Sequence, residues 1–222
     1  MSLEWGSLIP NIAHDVRSLA RKGLANAQLL SRALDPIANP EIAAHLQAIK
    51  ESQQDLNHFF TRLVLLLEAN LNLNAEFILL EVVLLAVRLE LKEALQKAGV
   101  DLETGTLPVC YVPRKTQIIL VELIDNSLRY RETARPLRIV IQGDEFRGMI
   151  RIRVSDNGSG FNPIYAVNLF QPFQRMDARR SGFGLGLAIS KEITDACGGR
   201  IYWETPSVGA VFVLELPLKI AA

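Results

Sequence analysis

The sequence predicts an α+β fold in two parts, a helical hairpin over residues 1–72 and an α/β domain over residues 73–222. Three observations lead there. Apolar residues recur at spacings of three and four through roughly the first seventy positions, the helical period. The stretch Asp35-Pro36-Ile37-Ala38-Asn39-Pro40 interrupts that period with two prolines and a turn-forming asparagine. From Phe77 onward, short β-like runs alternate with helical segments.

The composition narrows the function classes. Lys plus Arg number 24 and Asp plus Glu number 24, so no global positive field gathers phosphate backbones or anionic lipid, and no nucleic-acid partner is expected. Hydrophobic residues at 49% and charged residues at 22% exclude a disordered tail and a disulfide scaffold. Cys110 and Cys197 lack metal-ligand spacing, which points to a reducing, cytoplasmic setting. The most apolar stretch, residues 59–91, is interrupted by Arg62, Glu68, Glu76, Glu81, Arg88 and Glu90, so no membrane span is expected. The first five residues carry neither a basic nor an apolar leader segment, so no signal peptide is expected.

In the first part, at about 100° per residue from Ile12, the positions Val16, Leu19, Gly23, Ala27, Leu30 and Leu34 fall within roughly 60° of one line. After the proline link, Ile42, Leu46, Ile49, Leu56, Phe60, Val64 and Leu67 repeat the pattern. An antiparallel hairpin cannot bury two such stripes completely, so a homodimer completing a four-helix bundle is expected. In the second part the helical segments are 80–98, 116–131 and 186–196, and the strands include 137–142, 149–155, 200–204 and 210–216.

Three segments of the second part can carry chemistry. Asp156-Asn157-Gly158-Ser159-Gly160 directly follows a strand, where glycines admit close approach of a ligand and Asp156 can accept hydrogen bonds from an exocyclic amine such as adenine N6. Gly182-Phe183-Gly184-Leu185-Gly186-Leu187 is a glycine-rich loop opening a helix, whose free N–H groups and dipole favour phosphate. It is neither a dinucleotide fingerprint, because Leu187 stands where a third glycine belongs, nor a P-loop, because it lacks the Lys-Ser/Thr ending. Between the two glycine clusters, Leu169-Phe170-Gln171-Pro172-Phe173-Gln174-Arg175 and a polar run containing Arg179 and Arg180 have the composition of a hinged lid with arginines in reach of phosphates. On the third segment, a helix, Glu122, Asn126 and Arg129 lie at i, i+4 and i+7, a face with oxygen ligands for Mg²⁺. Taken singly, these segments also read as a tight turn, a solvated loop and a solvated helix face.

Their order and spacing resemble the N, G1, F and G2 boxes of the GHKL ATP-binding superfamily, in particular the catalytic domain of sensor histidine kinases. The closing Gly209-Ala210-Val211-Phe212-Val213-Leu214-Glu215-Leu216-Pro217 is similar to that family's last strand. Ala13-His14-Asp15-Val16-Arg17 in turn resembles the H-box of the dimerisation domain. His14 lies about 200° from Ile12, opposite the apolar seam, where an imidazole meets a mobile domain.

The resemblance implies an α/β sandwich with a mixed sheet, and a kinase core that uses ATP and Mg²⁺. It implies His14 as phosphoacceptor with Asp15 orienting the ring, Asn126 with Glu122 on the metal, and Arg129 and Tyr130 on the phosphate and ribose side. It further implies Asp156, Gly158 and Gly160 at the adenine, Phe170, Arg175 and Arg179 in the lid, and Gly182, Phe183, Gly184, Leu185, Gly186 and Leu187 around the polyphosphate. The implied partners are a second copy, a response-regulator receiver domain whose aspartate takes the phosphoryl group, and an upstream sensor segment or protein. His45 and His58, with no adjoining acid in this pattern, are read as structural or solvated.

Four positions depart from the family pattern. Leu19 stands in place of a proline after the H-box, which leaves the helix straighter. Ala210 stands in place of a threonine beside the adenine, which removes a hydroxyl worth about 1 kcal/mol. Ser18 stands where Thr or Asn supports phosphatase activity. Glu122 stands in place of the first asparagine of the N-box; Glu-x-x-x-Asn is also similar to the gyrase and mismatch-repair branch, where the glutamate activates water. An ATP hydrolase using Glu122 is therefore the competing reading, and a histidine phosphotransferase scaffold without ATP turnover the third.

Overall fold

The computed structural model describes residues 18, 21–23, 25–26, 28–30, 40–69, 76–161, 168–175, 182–204 and 206–220. The chain divides into two units, Met1–Leu71 and Asn72–Ala222.

In the first unit, α1 runs from Pro40 to Glu68. Proline at its first position has no intrahelical N–H to lose, and no glycine or further proline follows within the helix. Residues 18, 21–23, 25–26 and 28–30 are helical too. Gly23 meets α1 at Gln53: a Cβ on that glycine would fall 2.4 Å from Gln53 Oε1. The amide of Gln53 thus packs against the helix where Gly23 leaves room for it. Val64 is buried, whereas Leu30 is 52% exposed, Ile49 47%, Leu56 42% and Leu67 44%. Much of the apolar stripe therefore stays in water in a single chain.

The second unit contains, in order, β1 (Phe77–Leu79), α2 (Leu80–Glu90), α3 (Lys92–Ala98), β2 (Leu102–Thr104), β3 (Cys110–Pro113), α4 (Thr116–Arg129), β4 (Ile139–Phe146), β5 (Met149–Asp156), α5 (Gly186–Ala196), β6 (Arg200–Glu204), β7 (Ala210–Pro217) and β8 (Lys219–Ile220). The main sheet has the order β2-β4-β5-β7-β6, and β1-β3-β8 form a small second sheet. β2 pairs with β4 in parallel and the other neighbours are antiparallel, so the main sheet is mixed. α4 packs on α5, α2 and β5, and α5 on β6, which makes a sandwich of helices over one sheet face.

Period-two alternation explains the layers. Ile139, Ile141, Ile150, Ile152, Val154, Leu214 and Leu216 point inward and are each at most 1% exposed. They meet Ile119, Leu120, Leu123 and Ile124 of α4 and Ile189 and Ile193 of α5, all equally buried. The alternate positions make a polar outer face: Arg151 bonds Glu215 at 3.0 Å, Arg153 bonds Asp144 at 2.9 Å, and the Tyr202 hydroxyl donates to Glu215 at 3.1 Å. Partial burial and the bond to that carboxylate push the Tyr202 phenol up.

Two differences from the sequence expectation have physical causes. The helix expected over 80–98 is two helices with a bend at Leu91, where φ is −93° and ψ 5°. No breaker residue marks the bend; the buried Leu95 brings α3 onto α4. β4 runs to Phe146 rather than ending at 142, because Arg147 and Gly148, at φ 52° and 75°, form a two-residue turn whose twist lets the ladder continue from Phe146 to Met149.

Candidate nucleotide site

Asp156 is the next step of the inward row Ile150, Ile152, Val154, so a carboxylate occupies a core-facing position at the end of β5. Its Oδ1 accepts the N–H of Gly158 at 2.8 Å and that of Ala210 at 3.3 Å, and its Oδ2 accepts the Ser127 hydroxyl at 2.8 Å. An ionised carboxylate offers about four lone-pair positions. Among the described residues three are filled, which leaves one acceptor position on Oδ2, enough for a single N–H of an exocyclic amine rather than two.

The turn after Asp156 is fixed from the far end of α4. Ser159 donates to the Tyr130 carbonyl through its amide at 2.9 Å and through its hydroxyl at 3.1 Å. A Cβ at Gly158 would fall 2.7 Å from that carbonyl, and one at Gly160 would fall 2.6 Å from the carbonyl of Gly209. These glycines therefore serve the packing of the turn against protein backbone. Arg135 donates to the Gly158 carbonyl at 3.0 Å, and the Asn157 amide bridges Arg138 N–H at 2.7 Å and the Pro136 carbonyl at 3.0 Å. Arg138 also grips Glu103 through two bonds, which hold the Glu103 carboxyl below its usual range.

On α4, Glu122 is 4% exposed and Asn126, one turn on, is half-buried. The Nδ2 of Asn126 is buried without a hydrogen-bond partner among the described residues. A buried amide left unmatched is costly, and it marks a position where a ligand completes the bonding. Arg129 follows on the same side, held by Asp125 at 2.5 Å. Gly182 rests on it: a Cβ at Gly182 would fall 2.1 Å from Arg129 Nη1. The helix and the glycine loop, distant in sequence, thus meet at one point.

The loop continues through Phe183 and Gly184 to the buried Leu185, Gly186 and the half-buried Leu187. Among the described residues no side chain caps the start of α5, the kind of helix N-terminus that suits an anion. Gly184 lies against the preceding loop, where its carbonyl accepts the Phe173 N–H at 2.8 Å and a Cβ would fall 2.5 Å from the Gln174 carbonyl. Phe170 is half-buried and Arg175 exposed. His14, Asp15 and Arg179 lie outside the described residues.

The donor set fits a magnesium nucleotide. Asp156 keeps an acceptor for an amine, the glycine loop leads into the start of α5, which no side chain caps among the described residues, and Asn126 and Glu122 supply oxygens of the hard type that Mg²⁺ takes. Among the described residues no three His, Cys, Asp or Glu side chains cluster as a metal cage; Mg²⁺ commonly takes one or two protein oxygens with the rest from phosphates and water. Both cysteines are unbridged, and burial pushes both thiols up, away from nucleophilic thiolate.

Three contributors were not among the residues expected from sequence: Ser127, Asn157 and Arg135. Ser127 had a signal, a hydroxyl residue within a helix on the side of Leu120 and Leu123. The other two act through loop geometry that spacing does not express, and at Ala210, already expected beside the adenine, it is the backbone N–H that reaches Asp156.

Residues 111–220 match the family described as histidine kinase-, DNA gyrase B-, and HSP90-like ATPase. The sensor protein TorS of Escherichia coli is 35% identical over 111 residues, 49% of this chain and 12% of that one. The sensory histidine kinase/phosphatase NtrB of Salmonella typhimurium is 24% identical over 96% of this chain and 62% of its own length. This chain thus spans less than two thirds of either relative. Among solved structures, full-length ShkA in complex with AMPPNP superposes with a TM-score of 0.79 at 21% identity, over 97% of this chain and 46% of that one. The catalytic domain of the histidine kinase ThkA superposes with a TM-score of 0.56 at 25% identity, over 64% of this chain and 95% of that one.

Proposed function

Through residues 111–220 the chain belongs to the histidine kinase-, DNA gyrase B-, and HSP90-like ATPase family, with a catalytic core of the histidine-kinase type, and from that premise we propose that it is the core of a two-component signalling kinase. In this reading ATP binds the second unit, phosphorylates His14, and the group passes to an aspartate of a response-regulator receiver. The observation that carries it is that α4, the helix of Asn126, meets Asp156 through Ser127 at 2.8 Å and Gly182 through Arg129.

Each residue then has a task. Asp156 reads the adenine amine, and Tyr130, through its carbonyl, holds the turn carrying Gly158 and Gly160 beside it. Arg129 and the loop 182–187 flank the phosphates, with Phe170, Arg175 and Arg179 contributed from the lid. Asn126 and Glu122 hold Mg²⁺, which when bound offsets the negative charge that builds on the leaving oxygen. Neutral His14 attacks the γ-phosphorus in line with a ring-nitrogen lone pair; the P–N bond forms, the P–O bond to ADP breaks, and Asp15 orients the ring and takes the proton. The hairpin, residues 1–72, pairs with a second copy; the exposed Leu30, Ile49, Leu56 and Leu67 support this. The setting is cytoplasmic, with an upstream sensor segment or protein as input.

A second reading is favoured by one observation, the burial of Glu122 one turn before Asn126. There Glu122 activates water and the protein is an ATP hydrolase. Incubation with γ-labelled ATP and Mg²⁺ separates the two. For the kinase, acid-labile label stays on wild type and is lost in His14→Gln and Asn126→Ala. Phosphate release that persists in His14→Gln, with no label on wild type, overturns the kinase reading in favour of hydrolysis.

A further inference from the structure

We propose that Ser127 is the positioning residue of the base-reading carboxylate, the hydroxyl that sets Asp156 so that its one open acceptor position faces the exocyclic amine of adenine. The inference rests on the adenine reading given above.

The geometry around Ser127 is specific. The residue is 2% exposed and lies in the interior of α4. Its hydroxyl has two acceptors in range, the Leu123 carbonyl at 3.2 Å and Asp156 Oδ2 at 2.8 Å. A hydroxyl has one proton to give, and a serine within a helix usually gives it to the carbonyl four residues back. Here the shorter bond goes to the carboxylate, because an ionised acceptor binds a donor about twice as strongly as a neutral one.

The carboxylate needs that donor. Both backbone N–H groups, from Gly158 and Ala210, bond Oδ1. They fill Oδ1 and leave Oδ2 without a backbone donor. Ser127 is the only hydrogen-bond partner given to Oδ2 among the described residues, and it comes from the opposite layer of the sandwich. With it in place Oδ2 keeps a single open lone pair in a defined direction. A carboxylate so held accepts from the amine of adenine and repels the carbonyl that hypoxanthine carries at the same ring position.

The strand side offers no substitute. Asp156 and Ala210 are partners in the β5–β7 register, with Cβ atoms about 4.5–5.5 Å apart on the same face. A hydroxyl on residue 210 would reach the same carboxylate, and alanine has none. The hydroxyl that this pocket lacks on β7 is supplied from α4.

The test compares the affinity of the full chain for Mg-ATP and Mg-ITP, by calorimetry, with the nucleotide-free melting temperature beside it. The proteins are wild type, Ser127→Ala, the double variant Ser127→Ala/Ala210→Thr, and Asp156→Asn. Ser127→Ala is expected to weaken ATP about tenfold, leave ITP unchanged and melt within a few degrees of wild type; threonine at 210 is expected to recover most of the lost preference. An unchanged ATP-to-ITP ratio in Ser127→Ala, while Asp156→Asn removes the preference, overturns the inference and leaves the adenine reading standing. Equal weakening of both nucleotides with a lowered melting temperature also overturns it, since that marks a packing role. If wild type shows no preference for ATP, or Asp156→Asn retains it, the adenine reading falls and takes this inference with it.

Discussion

Gly182 lies on the guanidinium of Arg129: its φ is +121°, and a Cβ built there would fall 2.1 Å from Nη1. Arg129 has little room to withdraw, because Asp125 holds its other terminal nitrogen at 2.5 Å. The loop's path over the helix is therefore set by the absence of a side chain.

Replacing Gly182 with alanine should weaken ATP binding at least tenfold. The variant meets both a backbone conformation that costs about 1–3 kcal/mol for a residue with a Cβ and the contact with Arg129. The melting temperature without nucleotide should move little, because the loop contributes few core side chains. Calorimetric titration with Mg-ATP, paired with a melting curve, checks both halves.

Glu122→Gln keeps the shape of a buried side chain and removes its charge. For a kinase whose Glu122 helps hold Mg²⁺, label on His14 should fall about tenfold or more and be partly restored by raising the Mg²⁺ concentration. Label and free phosphate are to be measured in the same tube. Loss of phosphate release with full labelling would instead assign Glu122 to water activation.

The pairs Glu76–Arg114 and Glu103–Arg138 predict an acid-side loss of stability. The arginine hydrogen bonds hold both carboxyls below their ordinary value of 4.5. A depressed folded-state value stabilises the fold above the unfolded value, and the contribution disappears as pH falls through the folded one. Wild type should lose melting temperature below about pH 4.5 more steeply than Glu76→Gln/Glu103→Gln. Both pairs are exposed, so the difference should be small and should shrink in high salt. Melting curves at pH 7 and pH 3.5, at low and high ionic strength, measure it.

Leu56 and Leu67 of α1 are 42% and 44% exposed in the single chain. If a second copy covers them, Leu56→Glu/Leu67→Glu should convert a dimer to a monomer, read by sedimentation or by light scattering. Binding of ATP to the second unit should survive the change. A wild-type chain that sediments as a monomer at tens of micromolar would remove the dimer from the proposal.

The legible parts of this molecule are those in which one residue type answers one geometric demand. The inward row of β5 could be read from Ile150, Ile152 and Val154, and Asp156 is the polar residue that continues it. The glycine loop announced itself by density of glycine ahead of a helical segment. What stayed hidden depends on contacts between segments far apart in sequence. The bend at Leu91 has no breaker residue and comes from the burial of Leu95. Ser127 reads as an ordinary helical serine until β5 brings Asp156 within 2.8 Å. Glu122 looked like part of a solvated stripe, and only the packing of α4 shows it to be 4% exposed. The strands of the small sheet, two to four residues each, are too short for alternation to register.

The core-facing position of Asp156 has a thermodynamic consequence. The last inward place of β5 carries a carboxylate instead of hydrocarbon, so in the proposed adenine reading the interior of the sandwich is finished by a molecule from solution. A base seated there acts as a removable piece of the core, and folding and nucleotide level become linked quantities. At a concentration of one hundred times Kd, such linkage adds about 2.7 kcal/mol to the folded state. The second unit would then register the nucleotide level of its surroundings in its own resistance to unfolding, before any phosphoryl group has moved.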